Sequence, residues 1–278
     1  MSVMESMRHP SRRWFLARSL AVGAALFASP RRVAAQTPPA SAGPANPALL
    51  EDLVAANRIL VDQGVLDGYG HVSVRHDRDA SRYMMSRSIA PELVTVADIM
   101  EYDLDNNPVD PRGRTSYLER FIHGEIYKQR PDVKAVLHSH SPSVIPFGVT
   151  GVALRPLYHM SAFLWVGVPV FDIRAASGGS TDMLVRNPAL GQSLAQALGT
   201  RPVALMRGHG NVVVGDSLPQ LVFRGVYTEV NAKLQAQAMA LSGNVTYLDP
   251  EEAKKAEASI AGTLGRPWEL WKRKALTR

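Results

Sequence analysis

Two histidines that follow a short apolar run are well suited to hold a metal ion. His138 and His140 come directly after residues 133–137, a largely apolar run that predicts a buried strand. Because side chains two apart on a strand point to the same face, both imidazoles can reach one point. Imidazole nitrogen suits zinc and similar divalent ions. Two polar residues at a strand end remain the alternative interpretation of this pair.

His209 is a third candidate ligand, placed between two glycines after the apolar run 203–206. Alone, a histidine in Gly-His-Gly is typical of a turn. Together with His138 and His140 it makes a three-histidine set with one open position, the pattern of catalytic zinc sites. The sequence contains no cysteine, so any metal must be held by histidine and carboxylate.

Glu119 is the candidate carboxylate for proton transfer. It lies on a predicted helix, residues 117–127, with His123 four positions later on the same face. A solvated acid on the helix surface is the alternative interpretation. We predict that His123 supports the site or packs, and that it is not a fourth metal ligand.

The candidate carboxylate and histidines occur in an order that resembles the class II aldolase/adducin family over about residues 48–245: Glu119, His138, His140 and His209. The resemblance implies that the three histidines bind a divalent ion, with zinc first and Mn, Fe or Co as alternatives. It implies that Glu119 is the catalytic acid–base group beside a metal-stabilised enolate. It also implies a homotetramer with active sites at subunit boundaries.

The chain departs from the sugar-phosphate aldolases of that family where they bind phosphate. Tyr117 and Leu118 stand where those enzymes have a serine pair, and His71 stands where they have an asparagine. A bulky, largely apolar pair is poorly suited to a phosphate dianion, so a phosphorylated substrate is disfavoured.

A second departure concerns the tyrosine that protonates the leaving aldehyde in those aldolases. On ungapped spacing from His140 it falls at Met160, which cannot transfer a proton. Tyr158 and His159 are the neighbours that can supply one, and we predict them as catalytic residues. Retro-aldol cleavage of a sugar phosphate is therefore disfavoured.

Other stretches look like the decarboxylase-type branch of the family: residues 70–75, 86–88 and 117–123. That branch includes enzymes acting on 2-hydroxy-3-carboxymuconic semialdehyde and on dihydroxyphthalates. The similarity predicts substrate contacts from His71, Ser86, Arg87 and Ser88. Arg87 suits a carboxylate clamp, with a solvated arginine as the alternative. His71 suits a phenol or enol oxygen, with a strand-end cap as the alternative.

The sequence therefore predicts a metal-dependent lyase, a carboxy-lyase before an aldehyde-lyase, acting on a small carboxylic acid. A hydroxy-keto or dihydroxy-aromatic acid is the expected substrate class. Three alternatives stay open. They are an aldolase on a non-phosphorylated aldol, an iron-dependent oxygenase similar to the prenyl-hydroxybenzoate dioxygenase of the family, and a non-catalytic module of the adducin kind.

The positive charge is concentrated at the amino terminus. Residues 1–35 carry five of the six net positive charges, so no basic domain indicates nucleic-acid binding. Arg12 and Arg13 precede an apolar run, residues 19–29, and a small-residue site at 33–35. This order resembles a twin-arginine export signal and predicts cleavage after Ala35, a periplasmic location and no membrane association after cleavage. Residues 36–46 are predicted as a flexible leader.

The elements that must position these residues alternate between helix and strand. The alternation predicts α/β layers around a mixed sheet. The family resemblance implies a single-domain, three-layer fold of the class II aldolase/adducin type, with a central mixed, mainly antiparallel sheet flanked by helices. The catalytic domain is placed at 47–245 and a helical tail at 246–278. Helices are predicted at 47–63, 117–127, 143–147, 190–198, 218–241 and 251–259, and strands at 70–75, 83–86, 99–104, 133–140, 168–171, 203–206 and 212–214.

Overall fold

The computed structural model describes residues 38–277. The export signal predicted for residues 1–35 lies outside the described residues, as do the first two residues of the predicted leader. None of the helices in the described part combines the length and apolar character needed to cross a membrane.

Seven strands form one sheet in this part of the chain, in the order β3-β2-β1-β4-β7-β6-β5. Every neighbouring pair is antiparallel except β5 and β6, which confirms the predicted mixed, mainly antiparallel sheet. The strands are β1 His71–Arg75, β2 Arg82–Ser86, β3 Ile99–Asp103, β4 Ala135–Ser139, β5 Val170–Phe171, β6 Val203–Met206 and β7 Gly210–Gly215.

Where apolar residues recur at helical spacing, the helices lie close to their predicted bounds. The longest has the predicted bounds, and the side chain of Ser217 caps its first turn by accepting from Gln220 N. The α-helices are α1 Pro47–Asp62, α2 Phe121–Gln129, α3 Ile145–Thr150, α4 Ile173–Ser177, α5 Pro188–Leu198, α6 Leu218–Leu241, α7 Pro250–Ala261 and α8 Gly265–Leu276; short 3₁₀ segments cover Pro91–Leu93, Val96–Asp98, Leu118–Arg120 and His159–Val166.

Both faces of the sheet are buried, which makes it the middle of three layers. Along β4, Ala135 and Leu137 belong to one apolar core with α1 and α6, whereas Val136 belongs to a second core with α2 and α5. This follows from the alternation of side chains along a strand. His138 therefore lies on a strand that is covered on both faces, and His140 lies just beyond the end of that strand.

Both ends of the described domain contact distant segments of the chain. Within the segment predicted as a leader, Ala42 N donates to Glu101 Oε1 at 2.8 Å and Ala45 is buried. The segment predicted as a helical tail contains α7 and α8, and Trp268 and Trp271 of α8 are buried against the core that includes α1. Composition alone could not show these contacts, because both segments are stabilised by distant partners.

Candidate metal centre

The end of β4 carries the first two candidate ligands as the strand pattern predicts. His138 pairs with His71 of β1 on one side and with Val212 of β7 on the other. Its ring centroid lies 5.1 Å from that of His140, so the two imidazoles do face one region. His138 is fully buried, and His140 is partly exposed.

His209 reaches the same region from the tight reversal between β6 and β7. A Cβ at Gly210 would lie only 2.0 Å from the carbonyl oxygen of Ser139, so only glycine permits this approach of the two chains. The His209 ring centroid consequently lies 4.9 Å from both other rings, and its Nε2 lies 3.1 Å from Nε2 of His140. The three predicted histidines therefore converge.

Glu119 approaches from the short 3₁₀ turn that precedes α2. Its Oε1 accepts a hydrogen bond from the backbone N–H of Val185 at 2.9 Å, which fixes the orientation of the carboxylate. The other oxygen, Oε2, then lies 3.5 Å from His138 Nε2 and 3.6 Å from His209 Nε2. The carboxylate is buried, so the alternative of a solvated surface acid does not hold.

These four side chains fit a metal ion. One ligand atom from each of them lies within 4.8 Å of all the others. His138 Nδ1 is 3.1 Å from the carbonyl oxygen of Asn211, to which it can only donate, so the lone pair of the neutral ring is on Nε2. That Nε2 is buried and has no hydrogen-bond partner among the described residues. A metal ion is the partner that such a nitrogen lacks, since buried polar atoms are otherwise paired. We call these four residues the metal centre: Glu119, His138, His140 and His209.

Burial sets the charge state of the metal centre. Burial lowers the pKa of His209 to about 4, with the nearby His138 lowering it further, and burial also lowers the pKa of His140. Burial alone would raise the pKa of Glu119, but the neighbouring His138 and His209 and the hydrogen bond from Val185 N–H outweigh it and hold that pKa well below its usual range. At neutral pH these shifts leave His140 and His209 neutral and Glu119 ionised, and these are the forms that bind a metal.

A cavity of about 510 Å³ opens onto the metal centre. This volume suits a small aromatic or hydroxy-keto acid. The lining combines polar and apolar residues. Its polar members are His71, Ser88, Glu119 and His140, and its larger apolar members include Tyr69, Ile89, Tyr117, Leu118 and Leu184.

The predicted substrate contacts divide into two groups. His71 and Ser88 line the cavity. Arg87 does not, because its Nε donates to Asp98 Oδ1 at 2.6 Å, so the predicted carboxylate clamp has an intramolecular partner. Ser86 Oγ lies 3.2 Å from the hydroxyl of Tyr117 and reaches the cavity wall only through that ring.

The structure does not bring Tyr158 and His159 to the metal centre of their own chain. Neither lines its cavity. The ring of Tyr158 lies 6.4 Å from that of Tyr227, and His159 lines a separate cavity together with Met160 and Arg224. Their assignment as catalytic residues remains a prediction that no contact within one chain supports.

Three residues that help to orient the site could hardly be identified from the sequence. Asn211 orients His138 through its backbone carbonyl, and Val185 orients Glu119 through its backbone N–H, so neither contact depends on the type of side chain. Ser73 contacts His123, which binds His71 rather than the metal centre, as expected for a residue that is not a ligand. The alternation of His71 and Ser73 along β1 was the one available signal.

Comparison with known proteins gives the same family as the site. Residues 51–236 match the class II aldolase and adducin N-terminal domain. The chain is 39% identical over 246 residues to the decarboxylase tropJ of Talaromyces stipitatus, covering 81% of this chain and 92% of that protein. It is 32% identical to a 3,4-dihydroxyphthalate decarboxylase of Arthrobacter keyseri, covering 69% and 79%. The chain therefore belongs to the class II aldolase/adducin family.

Solved structures support the fold. An L-fuculose 1-phosphate aldolase from Glaciozyma antarctica superposes with a TM-score of 0.68 over 84% of this chain and 94% of that one, at 23% sequence identity. At this identity the likeness concerns the fold, and the arrangement of the metal centre carries the chemistry.

Proposed function

We propose that this protein is a metal-dependent decarboxylase of a small dihydroxy-aromatic or hydroxy-keto acid. The observation that carries the proposal is the buried, unpaired Nε2 of His138, which faces Glu119 and two further imidazoles beside a cavity. The decarboxylases among its relatives support carbon dioxide as the leaving group. The reaction class is that of a carboxy-lyase.

The residues of the site have different roles in this reaction. His138, His140 and His209 would hold the ion, which when bound supplies Lewis-acid polarisation of the substrate oxygens. Glu119 is ionised and tethered through Oε1, so Oε2 can accept a proton from the substrate or return it to the carbon that loses carbon dioxide. The apolar lining residues of the cavity, such as Ile89 and Leu184, would contact the hydrocarbon part of the substrate.

A product screen tests this function against the alternatives. Purified protein is incubated with dihydroxy-aromatic and hydroxy-keto acids, and carbon dioxide, aldehyde and oxygen are measured in parallel. We expect carbon dioxide release without oxygen consumption. Aldehyde release would instead indicate an aldolase, oxygen consumption an oxygenase, and no turnover of any substrate a binding module.

We further propose zinc as the ion and a homotetramer as the assembly. Three imidazoles with one open position are a typical ligand set of catalytic zinc sites. Tyr69 and Leu118 at the cavity are 71% and 60% exposed, as expected if another subunit covers them. Tyr158 and His159 then stay candidates for a neighbouring subunit's site. Metal analysis and light scattering test both proposals; a monomer, or a protein isolated with iron, would contradict them.

We also propose that the protein is exported by the twin-arginine route to the periplasm. The paired Arg12 and Arg13, the apolar run and the small-residue site at 33–35 support this proposal. A double Arg12→Lys, Arg13→Lys variant is expected to accumulate in the cytoplasm at full length. Equal periplasmic amounts of variant and wild type would contradict export by this route.

A further inference from the structure

Beside the metal centre, four polar side chains form one hydrogen-bonded row. His71 Nδ1 lies 2.6 Å from His123 Nε2, and His123 Nδ1 lies 2.6 Å from Ser73 Oγ. Ser73 Oγ in turn lies 2.8 Å from the hydroxyl of Tyr127. None of the four is more than 4% exposed. We call this set the buried row: His71, Ser73, His123 and Tyr127.

The row ends at the substrate cavity. His71 lines that cavity. Its ring centroid lies 5.2 Å from that of His138, its partner across the strands. Because Nδ1 of His71 is engaged by His123, only Nε2 is available to a substrate. Whether Nε2 donates or accepts depends on which group is the donor in each hydrogen bond of the row.

The distances favour one direction. If Tyr127 donates to Ser73, each proton of the row lies on a contact of 2.6 to 2.8 Å and His71 Nε2 carries an N–H. In the reverse direction Tyr127 must donate to the carbonyl oxygen of Lys134, at 3.5 Å. A contact of that length is a poor hydrogen bond. The first direction therefore gives the row the better set of hydrogen bonds.

The surroundings of Tyr127 favour the same direction. Burial raises the pKa of Tyr127 above its usual range, so the phenol keeps its proton. The guanidinium of Arg75 lies 4.6 Å from the centre of its ring, and a cation at that position makes the hydroxyl a better donor and a weaker acceptor. Burial also lowers the pKa of His123 to about 3, so this ring is neutral. In a neutral ring one nitrogen accepts a hydrogen bond and the other donates one.

We propose that Tyr127, Ser73 and His123 are positioning residues that hold His71 in the tautomer with its proton on Nε2, from where it donates a hydrogen bond to a hydroxyl or phenolate oxygen of the substrate. The identity of that oxygen rests on the proposed function. The tautomer is a property of the protein alone. The row would thereby favour acids that present an oxygen acceptor to His71.

The tautomer is measured by ¹⁵N NMR of the histidine side chains in zinc-loaded protein. We expect the wild-type signals of His71 to show a protonated Nε2 and an unprotonated Nδ1. In Ser73→Ala, which removes the donor to His123, we expect a mixture of both tautomers. Tyr102→Phe, which removes another buried tyrosine hydroxyl outside the row, should keep the wild-type signals.

Two results would overturn the direction of the row. One is a wild-type His71 with its proton on Nδ1, and this result needs no variant to fold. The other is a folded Ser73→Ala protein with an unchanged tautomer. Either can be obtained from protein that turns over no acid, so failure of the row is distinguishable from failure of the proposed function.

Turnover tests the substrate contact. For an acid that the wild type decarboxylates, we expect Ser73→Ala to lower kcat about threefold to tenfold, the effect of weakening one neutral hydrogen bond. Tyr102→Phe should keep the wild-type kcat. A Ser73→Ala protein that loses the single tautomer and still turns over at the wild-type rate would overturn the contact between His71 and the substrate.

Discussion

Two groups of imidazoles lie next to each other at the β1–β4 pair and differ in how their ring nitrogens are hydrogen-bonded. In the metal centre, His138 fixes Nδ1 on a backbone carbonyl and leaves Nε2 unpaired among the described residues. In the buried row, His123 uses both nitrogens in hydrogen bonds to His71 and Ser73. The comparison teaches that a buried imidazole whose one nitrogen is fixed and whose other is unpaired can bind a cation, whereas an imidazole with both nitrogens paired can only orient its neighbour.

The largest expected effect comes from removing a metal-centre imidazole. His140→Ala deletes a ligand beyond the end of β4 without opening the apolar cores. We expect bound metal to be lost and carbon dioxide release to fall by about a thousandfold or more, since Lewis-acid stabilisation contributes several kcal/mol. Metal analysis and turnover check both, with His123→Gln as the control that keeps the metal. Full metal content in His140→Ala would contradict the assignment.

Glu119→Gln separates proton transfer from metal binding. The amide keeps the size of the side chain but cannot act as the base, so we expect kcat to fall by about 10² to 10⁴ with metal retained. Equilibrium dialysis with zinc and initial rates measure the two properties. A parallel loss of metal would instead make Glu119 a required ligand.

The spacing of residues along the sequence and the family resemblance together predicted the members of the metal centre. His138 and His140 follow from strand alternation, and the family resemblance added Glu119 and His209. The convergence of His209 depends on Gly210 beside Ser139, a close approach that no local pattern describes. The type of a residue such as Asn211 also says nothing when its backbone is what acts.

Contacts between distant segments account for what the sequence could not predict. Arg87 suits a carboxylate clamp by residue type and stays a predicted substrate contact, but the sequence did not indicate that its Nε pairs with Asp98 in the fold. Most helix and strand positions were predictable, because apolar periodicity is local. The placement of α8 against α1 was not, since it depends on tryptophans more than 200 residues from α1.

The buried row also predicts a pH effect on stability. The pKa of His123 is about 3 in the fold because of burial, well below its ordinary value of 6.5. Between these values the unfolded chain binds more protons, so His123 contributes stability that is present above pH 6.5 and is lost as the pH falls toward 3. Chemical unfolding of wild type and His123→Gln at several pH values should show a shallower decline for the variant. Equal slopes would contradict a neutral, buried His123.

The smallest expected effect is at Arg87. Because its guanidinium pairs with Asp98 and lies outside the cavity lining, Arg87→Ala should leave KM for the acid unchanged. The free energy of unfolding should fall by about 0–1 kcal/mol, as for other partly exposed ion pairs. A strong rise in KM would restore Arg87 as the carboxylate clamp.

Metal removal and return tests the central claim most directly. Protein that releases carbon dioxide from an acid identified by the screen is stripped with a chelator, assayed, and then reloaded with zinc at one equivalent per chain. The account predicts that release stops with the metal and returns with it, in wild type but not in His140→Ala. Undiminished carbon dioxide release from metal-free protein would contradict it.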